Sequence, residues 1–387
     1  MSGLVWKAAT YRFLDTFVLI FPFYTVMFAE NGMGPAQIGI ALAAWSLTGV
    51  ALEIPTGALA DRVSRRWLLF AAQVFRGAGF LVWALWPGFW GYLIGFVLWG
   101  VKSALVSGTF EALLFDDLKA EGREQDYARA IGRAQTGRFM GLMSAALIAS
   151  AIAGVGNYAL TLISSASSLV GAASALLLPK APRAARAQRA DYLGVMRRGV
   201  MEAVRRPGVL SILLFIALMQ ALLAACDDYW QIFGRDVGLE RSQIALFVAA
   251  LGAGQAGAAA IAHRAPLARS WALPVWVATA GLVLTAAAGV FEPWLSVPLA
   301  VLFTAMCIVA LVQADARFQH ALSGEARATV ASVKGFASQC SITLLILNFG
   351  LVAHVSDYRT AFLVQGVALT LLGSAYVWLT RRPAAAA

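Results

Sequence analysis

The sequence predicts an all-α membrane protein of twelve transmembrane helices, and three observations carry that prediction. The chain has 387 residues, of which 60% are hydrophobic and 13% charged, with a mean hydropathy of +0.74. A soluble domain is about 45–50% apolar and about 25% charged, so one globule in water could not hide this much apolar surface. The apolar residues also fall into long runs nearly free of charge, each close to the roughly 20 residues a helix needs to cross a hydrocarbon core. Finally, the runs are apolar all round. Strands of a membrane barrel alternate every second residue, and helices are the other way to satisfy the backbone in lipid.

In order, the runs cover residues 8–29, 36–58, 66–86, 90–112, 134–154, 157–179, 208–230, 241–262, 271–290, 294–315, 328–350 and 357–380. The first is interrupted by Asp15 and has no small-residue cleavage site after it, so it reads as a retained helix and not as a signal peptide. Lysine and arginine set the orientation. Of the 30 in the chain, 24 fall in the two termini and the even-numbered gaps, three (Arg235, Arg241, Arg359) in the odd gaps, and three (Arg76, Lys102, Arg138) within runs. Both termini are therefore expected in the cytoplasm, which needs an even number of spans. The net charge of +10 is mostly this topology. The basic residues are dealt out loop by loop without aromatic stacking partners, which argues against nucleic-acid binding, and a basic inner face suits anionic membrane lipid.

The longest polar stretch, 180–207, divides the chain into an N-terminal six-helix bundle at 1–179 and a C-terminal one at 208–387. Tyr192, Val195, Met196, Val200 and Val204 fall at helical spacing in it, predicting an amphipathic surface helix from Asp191 to Arg206. The halves echo one another. Gly32, Gln37 and Ile38 recur as Gly238, Gln243 and Ile244 at a shift of 206; "GALADR" at 57–62 faces "AAIAHR" at 259–264; "ARAIG" from Ala128 faces "ARATV" from Ala326. Equal span numbers in the same orientation make these parallel repeats about an axis along the membrane normal.

Between runs two and three stand Gly57, Leu59, Ala60, Asp61, Arg62, Arg65, Arg66 and Leu69. With twelve spans in a 6+6 arrangement, this stretch resembles the signature loop of the major facilitator superfamily (MFS), departing from it at Ser64, where the family has glycine. The resemblance implies a pseudo-twofold MFS fold, a monomer, alternating access by rocking of two bundles, and a small-molecule cargo. It also implies a conformational latch made of Gly57, Asp61, Arg62, Arg65 and Arg66. Asp61 would meet the helix start at Arg327–Ser332, and the arginines would meet Glu111, Asp116 and Asp117.

Charges inside the bilayer are costly and mark pathways. Asp15, Glu53, Arg76 and Lys102 lie at similar depth in the first half. Two readings stand: structural pairs that neutralise each other, or an acid that carries a proton. Asp15 and Glu53 are the proton-coupling candidates. The resemblance makes helices one and four line the cavity, favouring Asp15 and Lys102 and leaving Glu53 and Arg76 to structure. Lys102, Arg76, Gln220, Gln313 and Asp227 are the cavity candidates. Trp45, Trp83, Trp86, Trp90, Trp99, Trp230 and Trp294 read as membrane-interface or lipid-facing residues.

Other chemistries are not encoded. Cys226, Cys307 and Cys340 are scattered without metal spacing, His263, His320 and His354 lie far apart, and no phosphate-binding Gly-Lys-Ser/Thr loop occurs, so no metal, cofactor, enzymatic triad or direct use of nucleotide hydrolysis is expected. The expected function is proton-coupled efflux of a small amphipathic or hydrophobic compound across a bacterial inner membrane. Uptake of a polar or anionic metabolite, and a non-transporting receptor with this fold, are the alternatives. Run five and its end carry Gly137, Gly141, Gly154 and Gly156 but not the Gly-Pro pair typical of the superfamily's drug antiporters.

Overall fold

The computed structural model describes residues 2–60, 62–179, 194, 200–202, 204–205, 207–265, 267, 269, 271–322 and 326–381. Every predicted run is helical. The helices are α1 (Ser2–Thr16), α2 (Tyr24–Glu30), α3 (Pro35–Ala60), α4 (Arg65–Leu85), α5 (Phe89–Val106), α6 (Thr109–Ala120), α7 (Tyr127–Ala151) and α8 (Asn157–Ala175), then α9 (Pro207–Asp227), α10 (Trp230–Asp236), α11 (Arg241–Ile261), α12 (Ala272–Val290), α13 (Pro293–Ala321), α14 (Ala326–Val355) and α15 (Tyr358–Arg381). Among the described residues ten helices are long and apolar enough to span a membrane. Two runs fall outside that set. Run one is split into α1 and α2, and α7 carries Arg129, Arg133 and Arg138. Large apolar side chains such as Leu85, Leu344 and Leu371, 66%, 66% and 63% exposed, form the outward surface that lipid would cover. The expected surface helix from Asp191 to Arg206 lies largely outside the described residues.

Run one is not the continuous helix its hydropathy predicts. It breaks over residues 17–23, where Pro22 supplies no backbone N–H and blocks a preceding helical turn. Run seven breaks at Asp228 and Tyr229 without a proline. Run four bends at Gly108, whose φ of +67° suits a residue without a Cβ.

The sequence repeat at a shift of 206 is a structural repeat. The second piece of the broken helix starts at Tyr24 in one half and at Trp230 in the other. The preceding turn is closed by Phe23 N–H to Ile20 C=O at 2.9 Å and by Tyr229 N–H to Cys226 C=O at 3.0 Å. Gly32 and Gly238 both end that piece with positive φ, 84° and 97°. Gln37 then accepts the Gly34 N–H at 3.0 Å, and Gln243 accepts the Glu240 N–H at 2.9 Å, each satisfying an orphan donor at a helix start.

The chain divides into two units, Met1–Gln188 with Glu240–Ala249, and Arg189–Leu239 with Ala250–Ala387. The start of α11 belongs to the first unit. There the Arg241 guanidinium sits 4.8 Å from the centre of the Phe23 ring, and Ser150 Oγ donates to the Ser242 carbonyl at 2.9 Å. Within the first unit α1 packs on α7, and α4 on α8 and α5; within the second α9 packs on α14, and α12 on α15 and α13. Each unit thus repeats one pairing scheme.

The tryptophans divide by depth. Trp86, Trp90 and Trp294, near helix ends, are 55%, 61% and 73% exposed, as expected for interface residues. Trp83 and Trp230, 1% and 2% exposed, are not at the surface. Trp83 packs edge-on against Phe28 and Phe96, each at 5.0 Å, and Trp230 stacks on Phe362 at 4.9 Å. Both anchor the second piece of a broken helix in an aromatic core. An indole ring reads the same in sequence whether it meets lipid or other rings.

α15 begins with a capped turn. Asp357 Oδ1 accepts the Thr360 backbone N–H at 2.6 Å, and that bond holds the Asp357 carboxyl below the ordinary carboxylate range. A depressed folded-state pKa contributes stability above the unfolded value and loses it as pH falls through the folded one. Asp357→Ala should therefore lower stability by about 1 kcal/mol at neutral pH. The difference from the parent should shrink in acid, read by thermal unfolding at both pH values.

Candidate functional site

The broken end of α1 organises the charges of the first unit. A helix interrupted at membrane depth leaves carbonyls and amides that lipid cannot satisfy. Arg76, from α4, donates to the Leu14 carbonyl at 3.3 Å and to the Asp15 carbonyl. Ser167 of α8 donates to the Phe17 carbonyl at 2.9 Å, and Ser164 Oγ accepts the Ile20 N–H at 3.0 Å. The positive guanidinium thus sits at the negative end of the α1 dipole. Its Nε donates to Ser168 Oγ at 3.2 Å, and the Nη2 that reaches Leu14 also donates to Gln73 Oε1 at 2.6 Å.

The Asp15 carboxylate is held at the same point. Lys102 Nζ lies 2.8 Å from Oδ1, Arg76 3.4 Å from Oδ1 and Arg12 3.6 Å from Oδ2. Gln73 Nε2 also donates to Oδ1, at 2.7 Å. Arg12 continues outward to Glu111 and lies 4.1 Å from the centre of the Phe110 ring. Three cations and two acids therefore form one connected group from α1, α4, α5 and α6. Side-chain exposures of 2% for Arg76, 5% for Asp15 and 12% for Lys102 make Lys102 the most accessible of the three.

Of the four predicted intramembrane charges, Asp15, Arg76 and Lys102 come together and Glu53 does not. Glu53 is exposed on α3 and forms no ion pair among the described residues. Its place in the group is taken by Arg12 and Glu111. Arg12 read as a topology residue at the N-terminus. The polar partners Gln73, Ser164, Ser167 and Ser168 were missed, although "SSASS" at 164–168 carried a signal: four serines in a charge-free run, with 164, 167 and 168 on one helical face.

The signature loop is partly visible. Arg65 pairs with Asp116, and Arg66 reaches the Leu176 carbonyl at 3.5 Å. Glu111 pairs with Arg12 and not with a loop arginine, because it lies five residues before Asp116, about 1.4 turns, and so on a different face of α6. Asp117 is half-buried and pairs with none of them, and Arg62 is exposed. Gly57 is exposed, with nothing within 4 Å of an added Cβ. Asp61 and the side chain of Arg327 lie outside the described residues.

In the second unit, Asp227 ends α9 at the break, as Asp15 all but ends α1. It is exposed and accepts from Trp230 Nε1 at 3.3 Å and from the Gln255 amide. Gln220 is half-buried on α9. Gln313 donates to the Ala262 carbonyl at 2.7 Å, so its amide N–H ties α13 to the end of α11.

This geometry has known relatives. The profile of the Major Facilitator Superfamily matches residues 8–314, nearly the whole stretch from α1 to α13. The chain belongs to the Major Facilitator Superfamily. A variant of the nucleoside transporter NupG superposes with a TM-score of 0.82 at 14% identity, covering 98% of this chain and 100% of that one. A bacterial homologue of the human lysosomal transporter Spinster superposes with a TM-score of 0.78 at 17% identity, covering 100% and 99%. At such identities the two structures establish the fold. The inner membrane transport protein YajR of Escherichia coli strain K12 is 32% identical over 117 residues, 30% of this chain and 25% of that protein. The matched part thus spans about a quarter of that relative's length. This MFS chain is a multi-pass membrane protein of a transporter family.

Proposed function

We propose that this MFS chain is a proton-coupled secondary transporter of a bacterial inner membrane, exporting a small amphipathic compound by alternating access, with both termini in the cytoplasm. The split of lysine and arginine between the two sides supports the orientation. The observation that carries the proton coupling is the contrast between two acids. Asp15 already has three cations around it. Glu53 sits seven residues before the end of α3, exposed on a membrane-crossing helix, with no ion pair among the described residues. A lone carboxylate at such a depth is costly as an anion and acceptable when neutral or facing water. A group that meets both conditions in turn takes up and gives off a proton. Glu53 is the first candidate, and Asp15, released by movement of Lys102, the second. The Arg65–Asp116 pair supports a latch at the basic end of the first unit.

Purified protein should release protons when a screened compound is its cargo, and Glu53→Gln should abolish that release while leaving cargo exchange between equal-pH compartments. Unchanged release in the variant overturns the assignment of Glu53.

A further inference from the structure

A groove of about 630 Å³ runs along the first unit between α1 and α7, within the range of about 300–1,000 Å³ typical of small-molecule sites. From α1 it is lined by Val5, Trp6 and Phe13, and from α7 by Arg129, Arg133 and Met140. It occupies the face of α1 opposite the charged group, since residues 8, 11, 12 and 15 point into the unit. Its floor is tight. A Cβ on Gly137 would lie 2.4 Å from the Ala9 carbonyl oxygen, so the two helices touch backbone to backbone and the side chains on either side form walls.

The walls are chemically graded. Arg129 and Arg133 are one helical turn apart on α7 and both exposed. The nearby acids Glu121 and Asp126 are engaged by Arg123, at 3.0 and 2.8 Å. Among the described residues, neither Arg129 nor Arg133 has an ion-pair partner. About 16 Å separates Arg129 from Met140 along the helix, and at that far end stand Phe13 and Met140. Trp6 and Met140 are 71% and 56% exposed, large apolar side chains of the kind that accommodate varied apolar ligands. A neutral hydrophobe would leave two guanidinium forks unused. A phosphate or carboxylate head accepts from both.

We propose that this groove binds a drug-sized amphipathic anion, its charged head on Arg129 and Arg133 and its apolar body along Trp6, Phe13 and Met140. The role of that anion as cargo rests on the transport reading above; the binding itself does not. The probe is radiolabelled dodecyl phosphate, titrated onto the full chain in phosphatidylcholine nanodiscs with empty nanodiscs subtracted and no pH gradient. Saturable binding of one probe per chain is expected, weakened about tenfold or more by the exposed double substitution Arg129→Gln/Arg133→Gln, and less by the corresponding lysine pair. Met140→Trp, which fills the apolar end, should weaken binding with both arginines in place. Dodecanol should compete poorly. Equal binding by the double glutamine variant, or equal competition by dodecanol, overturns the proposal. Displacement of the probe by phosphatidylglycerol added to the nanodiscs makes the groove a resident-lipid site and overturns its assignment to cargo. Because no gradient is applied, failure of proton coupling leaves this result untouched.

Discussion

Arg76→Leu should cost the folded protein about 3–5 kcal/mol, the loss typical of breaking a buried ion pair by removing one partner. The side chain is 2% exposed and its nitrogens serve the carbonyls of Leu14 and Asp15, Gln73 Oε1, Ser168 Oγ and the Asp15 carboxylate. Leucine fills the volume but leaves two carbonyls at the α1 break without a donor, in surroundings that supply no water. Arg76→Lys should recover part of the loss, because one ammonium carries the charge but not the planar fork that spans several acceptors. Lys102→Met should cost less than Arg76→Leu, since Lys102 forms an ion pair with Asp15 alone among the described residues and is more accessible. Thermal unfolding of the three purified variants ranks them. Equal melting of the leucine variant and the parent would mean that the break is not held by Arg76.

Gly141→Ala should also be clearly damaging, although it adds a single methyl group. That Cβ would stand 2.2 Å from the Phe13 carbonyl oxygen and 2.5 Å from Thr16 Oγ1, inside any real contact distance. Gly137 makes the same close approach one turn earlier, so "GRFMG" at 137–141 is a pair of small residues that lets two helix backbones touch. Moving α7 outward would also stretch the bond from Thr16 Oγ1 to the Arg138 carbonyl, 2.6 Å. Overpacking of this kind costs about 1–3 kcal/mol, and here it falls beside the helix break that seats Asp15. Gly57→Ala is the contrasting substitution, since nothing lies within 4 Å of its Cβ, and inside α3 it should leave the melting temperature unchanged or slightly raised. A parent-like melting temperature for Gly141→Ala would show that α1 and α7 do not need their contact.

The class of protein was legible from the chain by itself, because the property that decides it is local. Whether a stretch of 20 residues is apolar enough for lipid depends on those residues alone, and every run is built of helix, with breaks in runs one, four and seven. The repeat at Gly32/Gly238 and Gln37/Gln243 was readable because turn and cap chemistry needs particular residues at particular offsets. The break in run one had a partial signal in Pro22; the break in run seven had none, since its aromatic neighbours Phe349 and Phe362 lie more than a hundred residues away.

The tertiary structure alone decided which charges meet. Asp15 and Glu53 look alike in sequence, each an acid within an apolar run. One lies among Arg12, Arg76 and Lys102, and the other stands apart on α3. That outcome depends on how α1, α4 and α5 rotate against one another, and the rotation is set by contacts between residues 58 to 150 positions apart, such as Gln73 on Asp15 and Ser167 on Phe17. Hydropathy is a sum over single residues and carries no information about such pairs. It determined that these helices cross a membrane; packing determined what they hold between them.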